Sequence, residues 1–162
     1  MNNDLIAILN EAAGNGQIKT STLENIREMI DGSSDSRYEA VISELAQGEY
    51  WTELDDRFFR KLAFGTGGLR GRTIGEIVTP SEMGDANEGD RPEFPCVGTN
   101  ALNNYNITRA TLGLVRHLLA QQQGGERPSI ALARDTRHYG KEFADCVCKV
   151  ATENGVDVHL FT

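Results

Sequence analysis

Apolar residues recur at helical spacing through residues 1–50, and this periodicity predicts a helical leader. The segment Ser21-Thr22-Leu23-Glu24 has the spacing of a capping box, which predicts that a helix starts there. Two apolar stripes follow, one over residues 23–30 and one over residues 38–45, with a polar turn between them. The leader contains no group of residues suited to catalysis, so we expect it to serve packing or partner contact.

From residue 106 onward the pattern becomes that of an α/β protein. The predicted elements follow in chain order: a helix with Asn106 as its N-cap and Gly124-Gly125 as its stop, a buried strand over 129–133, a helix over 143–151, and an alternating strand over 156–160. Strand, helix and strand within about thirty residues predict a βαβ unit with parallel strands. In such sheets ligands bind beyond the carboxyl ends of the strands, where residues 134–138 are expected.

Length and charge narrow the classes of function. The chain has 162 residues, enough for one domain with its own core. A net charge of −8 argues against nucleic acid or an anionic membrane as a partner. No apolar run approaches the roughly 18 residues that span a bilayer, and the N-terminus lacks the basic region of a signal peptide, so the expected localisation is cytoplasmic. Three cysteines, an odd number, predict reduced structural thiols.

Residues 64–72, Phe-Gly-Thr-Gly-Gly-Leu-Arg-Gly-Arg, are the most informative segment of the chain. Glycines leave backbone N–H groups uncovered and permit positive φ, which suits a concave anion-binding turn. The two arginines add planar forks that match the oxygens of a phosphate. A glycine-rich turn with solvated arginines explains the same residues equally well, so chemistry alone leaves both interpretations open.

Three blocks, in the same order, resemble the phosphohexomutases, the phosphoglucomutase/phosphomannomutase family. They are residues 53–64 running into Gly-Thr-Gly-Gly-Leu-Arg-Gly, residues 97–111 with Val-Gly-Thr-Asn at their start, and Asp-Thr-Arg-His at 135–138 followed by Phe143-Ala144. The resemblance covers roughly residues 45–162, except for 74–96. It implies an α/β fold in which the leader, 1–50, precedes an incomplete family domain I, 51–162, containing a partial mixed or parallel sheet with the βαβ unit.

The resemblance also implies a function for the parent protein. Such enzymes interconvert hexose 1-phosphate and hexose 6-phosphate through a phosphoserine and a sugar bisphosphate, with Mg²⁺ as cofactor and hexose 1,6-bisphosphate as activator. Their catalytic serine loop and magnesium loop have no counterpart here and are expected beyond Thr162. The expected partners are therefore a phosphosugar and the remaining domains of the same enzyme, and the chain alone is expected to be inactive. The alternative is a non-catalytic phosphate-binding or interaction module derived from that fold.

The resemblance assigns phosphate binding to one arginine above all. Arg70 corresponds to the family's cleft arginine, and the neighbouring candidates Thr66, Gly67 and Gly68 would add donors. Arg72 is a weaker candidate.

Asp135 and Arg137 are also weaker candidates for the site. Asp135 follows an apolar strand, as an aspartyl-phosphate nucleophile would, but no second carboxylate stands beside it. The preferred interpretation is that Asp135 pairs with Arg137 and braces the turn.

Residues 75–96 are acidic and rich in proline and glycine. In the phosphohexomutases the glycine-rich loop is followed almost directly by the Gly-Thr-Asn segment, so these residues resemble an insertion. We therefore predict a mobile acidic insertion. A calcium loop starting at Asp85 is rejected because glycine falls at position 5 instead of 6 and Cys96 stands where glutamate is required. Nucleotide-binding glycine motifs are rejected as well, because Arg70 occupies the third glycine position and no Gly-Lys-Ser/Thr occurs.

Overall fold

The computed structural model describes residues 2–66, 68–87, 89–122 and 125–161. The chain divides into two compact units, an N-terminal unit, Met1–Asn103, and a C-terminal unit, Asn104–Thr162. The N-terminal unit contains helices α1 Asn3–Gly14, α2 Thr20–Asp31, α3 Ser36–Gln47, α4 Trp51–Phe58 and α5 Pro80–Met83, and strands β1 Phe64–Gly65 and β2 Gly68–Leu69. The C-terminal unit contains α6 Asn104–Gln121, β3 Ser129–Ala133, α7 Gly140–Glu153 and β4 Asp157–Phe161. In the described part of the chain, no helix is both long and apolar enough to cross a membrane.

Helices α1 to α4 bury their apolar stripes against one another. The fully buried side chains of this core are Leu9, Ile26, Met29, Val41, Ile42, Leu45, Leu54 and Phe58. Each such side chain stabilises the fold by roughly 1.5–3 kcal/mol, which exceeds what helix propensity alone provides. Residues 3–47 form three helices, as the apolar periodicity predicts, and these share their core with α4. The domain division after residue 50 stays a prediction.

The predicted start of α2 is wrong in its detail. The helix begins at Thr20 behind Lys19, which forms no side-chain cap, so the capping box at residues 21–24 does not form. The Asp55 carboxylate on α4 takes that role instead. It accepts hydrogen bonds from the backbone N–H of Lys19 at 2.8 Å and from Thr22 Oγ1 at 2.6 Å. Partial burial raises the pKa of Asp55, but the hydrogen bonds from Lys19 and Thr22 outweigh it and the pKa is lowered.

Residues 75–96 are more ordered than the sequence predicts. Helix α5 begins behind Thr79 with Pro80 at its first position, and Thr79 and Glu82 form a reciprocal capping box. Glu82 is 1% exposed, and its backbone carbonyl accepts a hydrogen bond from Phe94 N–H at 3.0 Å. The prediction of a structureless loop is therefore wrong for residues 79–83, because a buried carboxylate holds this stretch to the core.

The C-terminal unit confirms the predicted βαβ arrangement. Strands β3 and β4 pair in parallel, with Ile130 opposite Val158, and α7 connects them. Val115 on α6, Ala151 and Val156 form the small core, against which Ile130 and Val158 pack. The overall class is α/β, with helices and small sheets, as predicted.

Two details of the C-terminal unit differ from prediction. Helix α6 begins two residues before the predicted N-cap Asn106, which is buried within it, and Gly124 lies outside the described residues. The prediction that residues 129–133 form a buried strand is also wrong, because alternate side chains on β3 are exposed. This alternation is typical of a sheet with only one covered face.

Candidate functional site

The glycine-rich segment forms a short antiparallel hairpin. Strands β1 and β2 pair Phe64 with Leu69 and Gly65 with Gly68. Gly68 has a φ of +93°, a conformation that other residues rarely adopt. Phe64 is 69% exposed, so the hairpin is not held by burial of its own side chains. The position of the hairpin therefore depends on its two ends.

Backbone hydrogen bonds anchor both ends of the hairpin to residues 99–102. Before β1, Leu62 N–H donates to the carbonyl of Thr99 at 2.7 Å. After β2, the carbonyl of Arg72 accepts from Leu102 N–H at 2.9 Å. Gly71 lies so close to residues 101–102 that a Cβ would come within 2.9 Å of Leu102 N. Gly71 is thus required for close backbone approach and not for an unusual φ.

Arg70 lies at the exposed end of this anchored segment. It follows β2 directly, and within the described ranges no carboxylate forms an ion pair with it. Thr66, in the turn, is exposed as well, and Gly68 is half-buried. Gly67, the remaining candidate of this group, lies outside the described residues.

Arg72 is held in a different way from Arg70. Its Nη2 lies 3.0 Å from Glu53 Oε2 and 3.0 Å from Asp56 Oδ2, both on α4. An open cavity of about 500 Å³ lies beside it, lined by Glu49, Tyr50, Trp51, Thr52, Glu53, Asp56, Arg72, Glu76 and Ile77. Because two carboxylates already neutralise Arg72, it is a poor primary ligand for an added anion.

A buried ionic cluster behind Arg72 was not predicted from the sequence. Arg57 is fully buried and donates from Nε to Glu53 Oε1 at 2.8 Å and from Nη1 to Glu82 Oε1 at 2.6 Å. It also donates to the carbonyls of Ile77 and Val97. We call Arg57, Glu53 and Glu82 the buried cluster.

Burial and charge oppose each other at the buried cluster. Desolvation lowers the pKa of Arg57, but the thiolate that Cys96 forms only at high pH and the carboxylates of Glu82 and Glu53 outweigh it, so the pKa is raised. Burial also raises the pKa of the Cys96 thiol to about 12. Cys96 is therefore a neutral thiol at physiological pH and is unsuited to nucleophilic attack. The cysteines of the chain are free, as predicted.

The second predicted group forms an ion pair in the C-terminal unit. Arg137 donates from Nε to Asp135 Oδ2 at 2.7 Å, and its backbone N–H donates to Asp135 Oδ1 at 3.0 Å. The hydrogen bonds from Arg137 lower the pKa of Asp135. Both side chains are largely exposed, at 53% and 88%. The predicted brace is confirmed as a contact, and in this arrangement Asp135 is occupied by its neighbour.

Among the residues that the structure describes, no three His, Cys, Asp or Glu side chains group as metal ligands. The fold and the hairpin thus define an α/β chain with an exposed arginine on a glycine-rich projection, and they supply no metal centre from the described residues.

Comparison with known proteins relates the chain to a family. Residues 95–162 match the family model of the phosphoglucomutase/phosphomannomutase alpha/beta/alpha domain I. The chain is similar to a phosphoglucomutase of Staphylococcus haemolyticus (strain JCSC1435), with 27% identity over 122 residues, covering 75% of this chain and 18% of the relative. A phosphoglucomutase of Staphylococcus aureus (strain USA300) is 30% identical over 114 residues, covering 69% and 16%.

These matches confirm the resemblance predicted from the sequence: residues 95–162 match the family's domain I, and the relatives reported above are phosphoglucomutases. The chain spans less than a fifth of the length of the curated relatives that it matches. No solved structure matches it significantly.

Proposed function

We propose that the parent protein interconverts hexose 1-phosphate and hexose 6-phosphate through a phosphoserine and a sugar bisphosphate. The proposal is supported by the family match over residues 95–162 and by relatives named phosphoglucomutase. Mg²⁺ and hexose 1,6-bisphosphate belong to this proposal as the cofactor and activator of the parent protein. The contribution proposed for this chain is phosphate recognition.

Within this chain, Arg70 is proposed as the phosphate ligand, with Thr66 and the amides of Gly67 and Gly68 as additional donors. One observation carries this assignment: Arg70 is exposed at the end of an anchored hairpin, without an ion-pair partner in the described ranges. Arg57, Arg72 and Arg137 are instead each committed to carboxylates. Because phosphoryl transfer depends on positioning and charge neutralisation, an unpaired guanidinium on a fixed backbone is suited to it.

Titration of the 162-residue chain with glucose 6-phosphate, followed by amide chemical shifts, tests the assignment. Arg70→Lys keeps the charge but removes the planar fork, so it should weaken binding by about 1–3 kcal/mol. Arg116→Lys, an exposed arginine on α6, is the matched control and should leave the dissociation constant unchanged. An unaltered dissociation constant in Arg70→Lys would refute the role of Arg70.

The chain alone is expected to lack mutase turnover. Phosphoryl transfer through an enzyme intermediate needs an activated nucleophile, and a lone serine is a weak one. In the described structure Ser21 donates to a backbone carbonyl and Ser81 to Glu44, so neither is activated by a histidine. A coupled assay with hexose 1-phosphate, Mg²⁺ and the bisphosphate measures this, and turnover above a mock-purified control would contradict it.

A further inference from the structure

We infer that Arg72 is a positioning residue: it connects the glycine hairpin to the buried cluster and thereby fixes the direction in which Arg70 faces its anion. The inference rests on the proposed role of Arg70 as a phosphate ligand. It concerns a separate question, which is how an exposed side chain on a two-stranded projection keeps one orientation.

Neighbouring hydrogen-bond donors hold the side chain of Glu53 in one orientation. Its Oε1 accepts from Arg57 Nε at 2.8 Å and from Glu76 N–H at 3.2 Å, and its side chain is 6% exposed. Arg57 is held in turn by Glu82, whose Oε1 accepts from Val97 N–H at 2.8 Å. These contacts orient the carboxylate of Glu53 and leave Oε2 for Arg72.

Arg72 is attached to the rest of the N-terminal unit through both its side chain and its backbone. Its guanidinium lies between Glu53 and Asp56, with Nη2 at 3.0 Å from an oxygen of each. Its backbone carbonyl is bonded to Leu102 N–H. The side chain is therefore oriented by two close ion pairs that lack hydrogen-bond geometry at Nη2, and the main chain is held by a hydrogen bond. Only Gly71 separates Arg72 from Arg70. Since Gly71 packs against the backbone of Ala101 and Leu102, little freedom remains in that connection.

The positive charge of Arg72 also changes the electrostatics around the hairpin. Arg72 places a positive charge between Glu53 and Asp56, next to a segment that is proposed to receive a phosphate. Without it, two carboxylates near the site would oppose an incoming anion. The two arginines therefore have different roles: Arg70 contacts the anion, while Arg72 neutralises the local acids and holds the backbone.

Two readouts on the 162-residue chain separate these roles: backbone order parameters of residues 68–71, and the dissociation constant for glucose 6-phosphate. Arg72→Gln should lower the order parameters from about 0.85 toward 0.6. It should also weaken binding about five- to tenfold, the typical cost of ordering one long side chain on binding. Arg70→Gln should weaken binding while leaving the order parameters unchanged.

Each outcome decides one question. If Arg70→Gln leaves binding unchanged, the proposed function fails, whereas the order parameters of Arg72→Gln still test the attachment. If Arg72→Gln weakens binding without loss of order, Arg72 is a direct ligand and the inference is overturned. Unchanged order in that variant overturns it as well.

A milder variant covers the case in which Arg72→Gln fails to fold. Asp56→Asn removes one of the two carboxylates that hold Arg72, and the side chain of Asp56 is 55% exposed, so the core is untouched. We expect a smaller loss of order at residues 68–71. Asp4→Asn, which removes an exposed carboxylate from α1, is the matched control and should change nothing at these residues. Full order in Asp56→Asn would contradict the inference.

Discussion

The buried cluster of the N-terminal unit and the Asp135–Arg137 pair of the C-terminal unit use the same chemistry in opposite environments. Arg57 and Arg137 both bind carboxylates through Nε at less than 3 Å. Arg57 is fully buried, whereas the side chain of Arg137 is 88% exposed. A short distance alone therefore says little about how much an ion pair stabilises the fold. Solvent screens the exposed pair, whereas removal of one partner from the buried pair would leave the other charge buried and uncompensated.

The comparison also shows what each group can do for function. The buried cluster cannot receive a ligand, because every polar group of Arg57 is occupied by Glu53, Glu82 and backbone carbonyls. The buried cluster acts by positioning Arg72, which forms an ion pair with Glu53. The Asp135–Arg137 pair is accessible, so a competing anion or cation can replace either partner at small cost.

Breaking the buried cluster should produce the largest effect. Arg57→Ala leaves Glu53 and Glu82 buried without their counter-charge, so the free energy of unfolding should fall by about 3–5 kcal/mol. Urea unfolding followed by the fluorescence of Trp51, the single tryptophan, reports on the N-terminal unit. Arg137→Ala is the control for loss of a paired arginine, and equal midpoints in the two variants would contradict the comparison.

Packing around Arg57 can be tested without changing any charge. In Gly98→Ala the new Cβ would lie 2.7 Å from the carbonyl oxygen of Arg57 and 2.9 Å from its Cβ. We expect a loss of about 1–3 kcal/mol, as for other overpacked sites. Gly113→Ala on α6 meets nothing within 4 Å and should stabilise the C-terminal unit by about 0.5–1 kcal/mol. Hydrogen exchange of each unit measures both, and a stabilised Gly98→Ala would show that the contact relaxes freely.

Asp55 provides an intermediate case, with a side chain that is 16% exposed. Its folded pKa lies below the ordinary 3.8, so the unfolded state binds more protons between the two values. Its contribution is therefore complete above about pH 3.8 and is lost as pH falls through the lower, folded pKa. Asp55→Asn should be less stable than the parent chain near neutral pH. The gap should narrow below pH 3.8 in urea titrations, and a gap independent of pH would refute the account.

The smallest effect is expected at the exposed pair. Asp135→Asn removes the charge that raises the pKa of Arg137, but both groups are open to solvent. We expect no measurable change in the urea midpoint of the C-terminal unit, at low or high salt. A clear loss of stability would mean that the turn at residues 135–137 is held by this pair.

The sequence predicted those elements whose apolar residues follow a regular period. The stripes of α2 and α3 gave the correct elements, since burial of one helix face repeats every 3.6 residues. The apolar alternation at residues 156–160 also gave the correct strand, although only Val158 within β4 is half-buried. Helix starts were less predictable. The capping-box spacing at Ser21 did not form a cap, whereas Thr79 and Glu82 did, because Asp55 from another helix satisfied α2. A local motif does not reveal a competing partner that is distant in the sequence.

The candidate site was predictable in part. Arg70 and the glycines could be selected because glycine and arginine density is a local signal. The buried cluster was not predicted, because Arg57 has the polar character of a surface residue and its partner Glu82 lies in a segment that reads as an acidic loop. One signal was present: Glu53 and Arg57 are four residues apart on the same helix face as Leu54 and Phe58, which are fully buried.

The burial of Cys96 makes its thiol a natural chemical probe of local unfolding. A thiol-specific alkylating reagent needs both access and a thiolate, and Cys96 is 1% exposed with a pKa of about 12. It can be labelled only after the N-terminal unit opens. Cys146 and Cys148, half-buried on α7, are partly accessible without such opening and provide an internal reference. Mass spectrometry of the labelled peptides would therefore time the opening of the N-terminal unit, with no probe introduced by mutation.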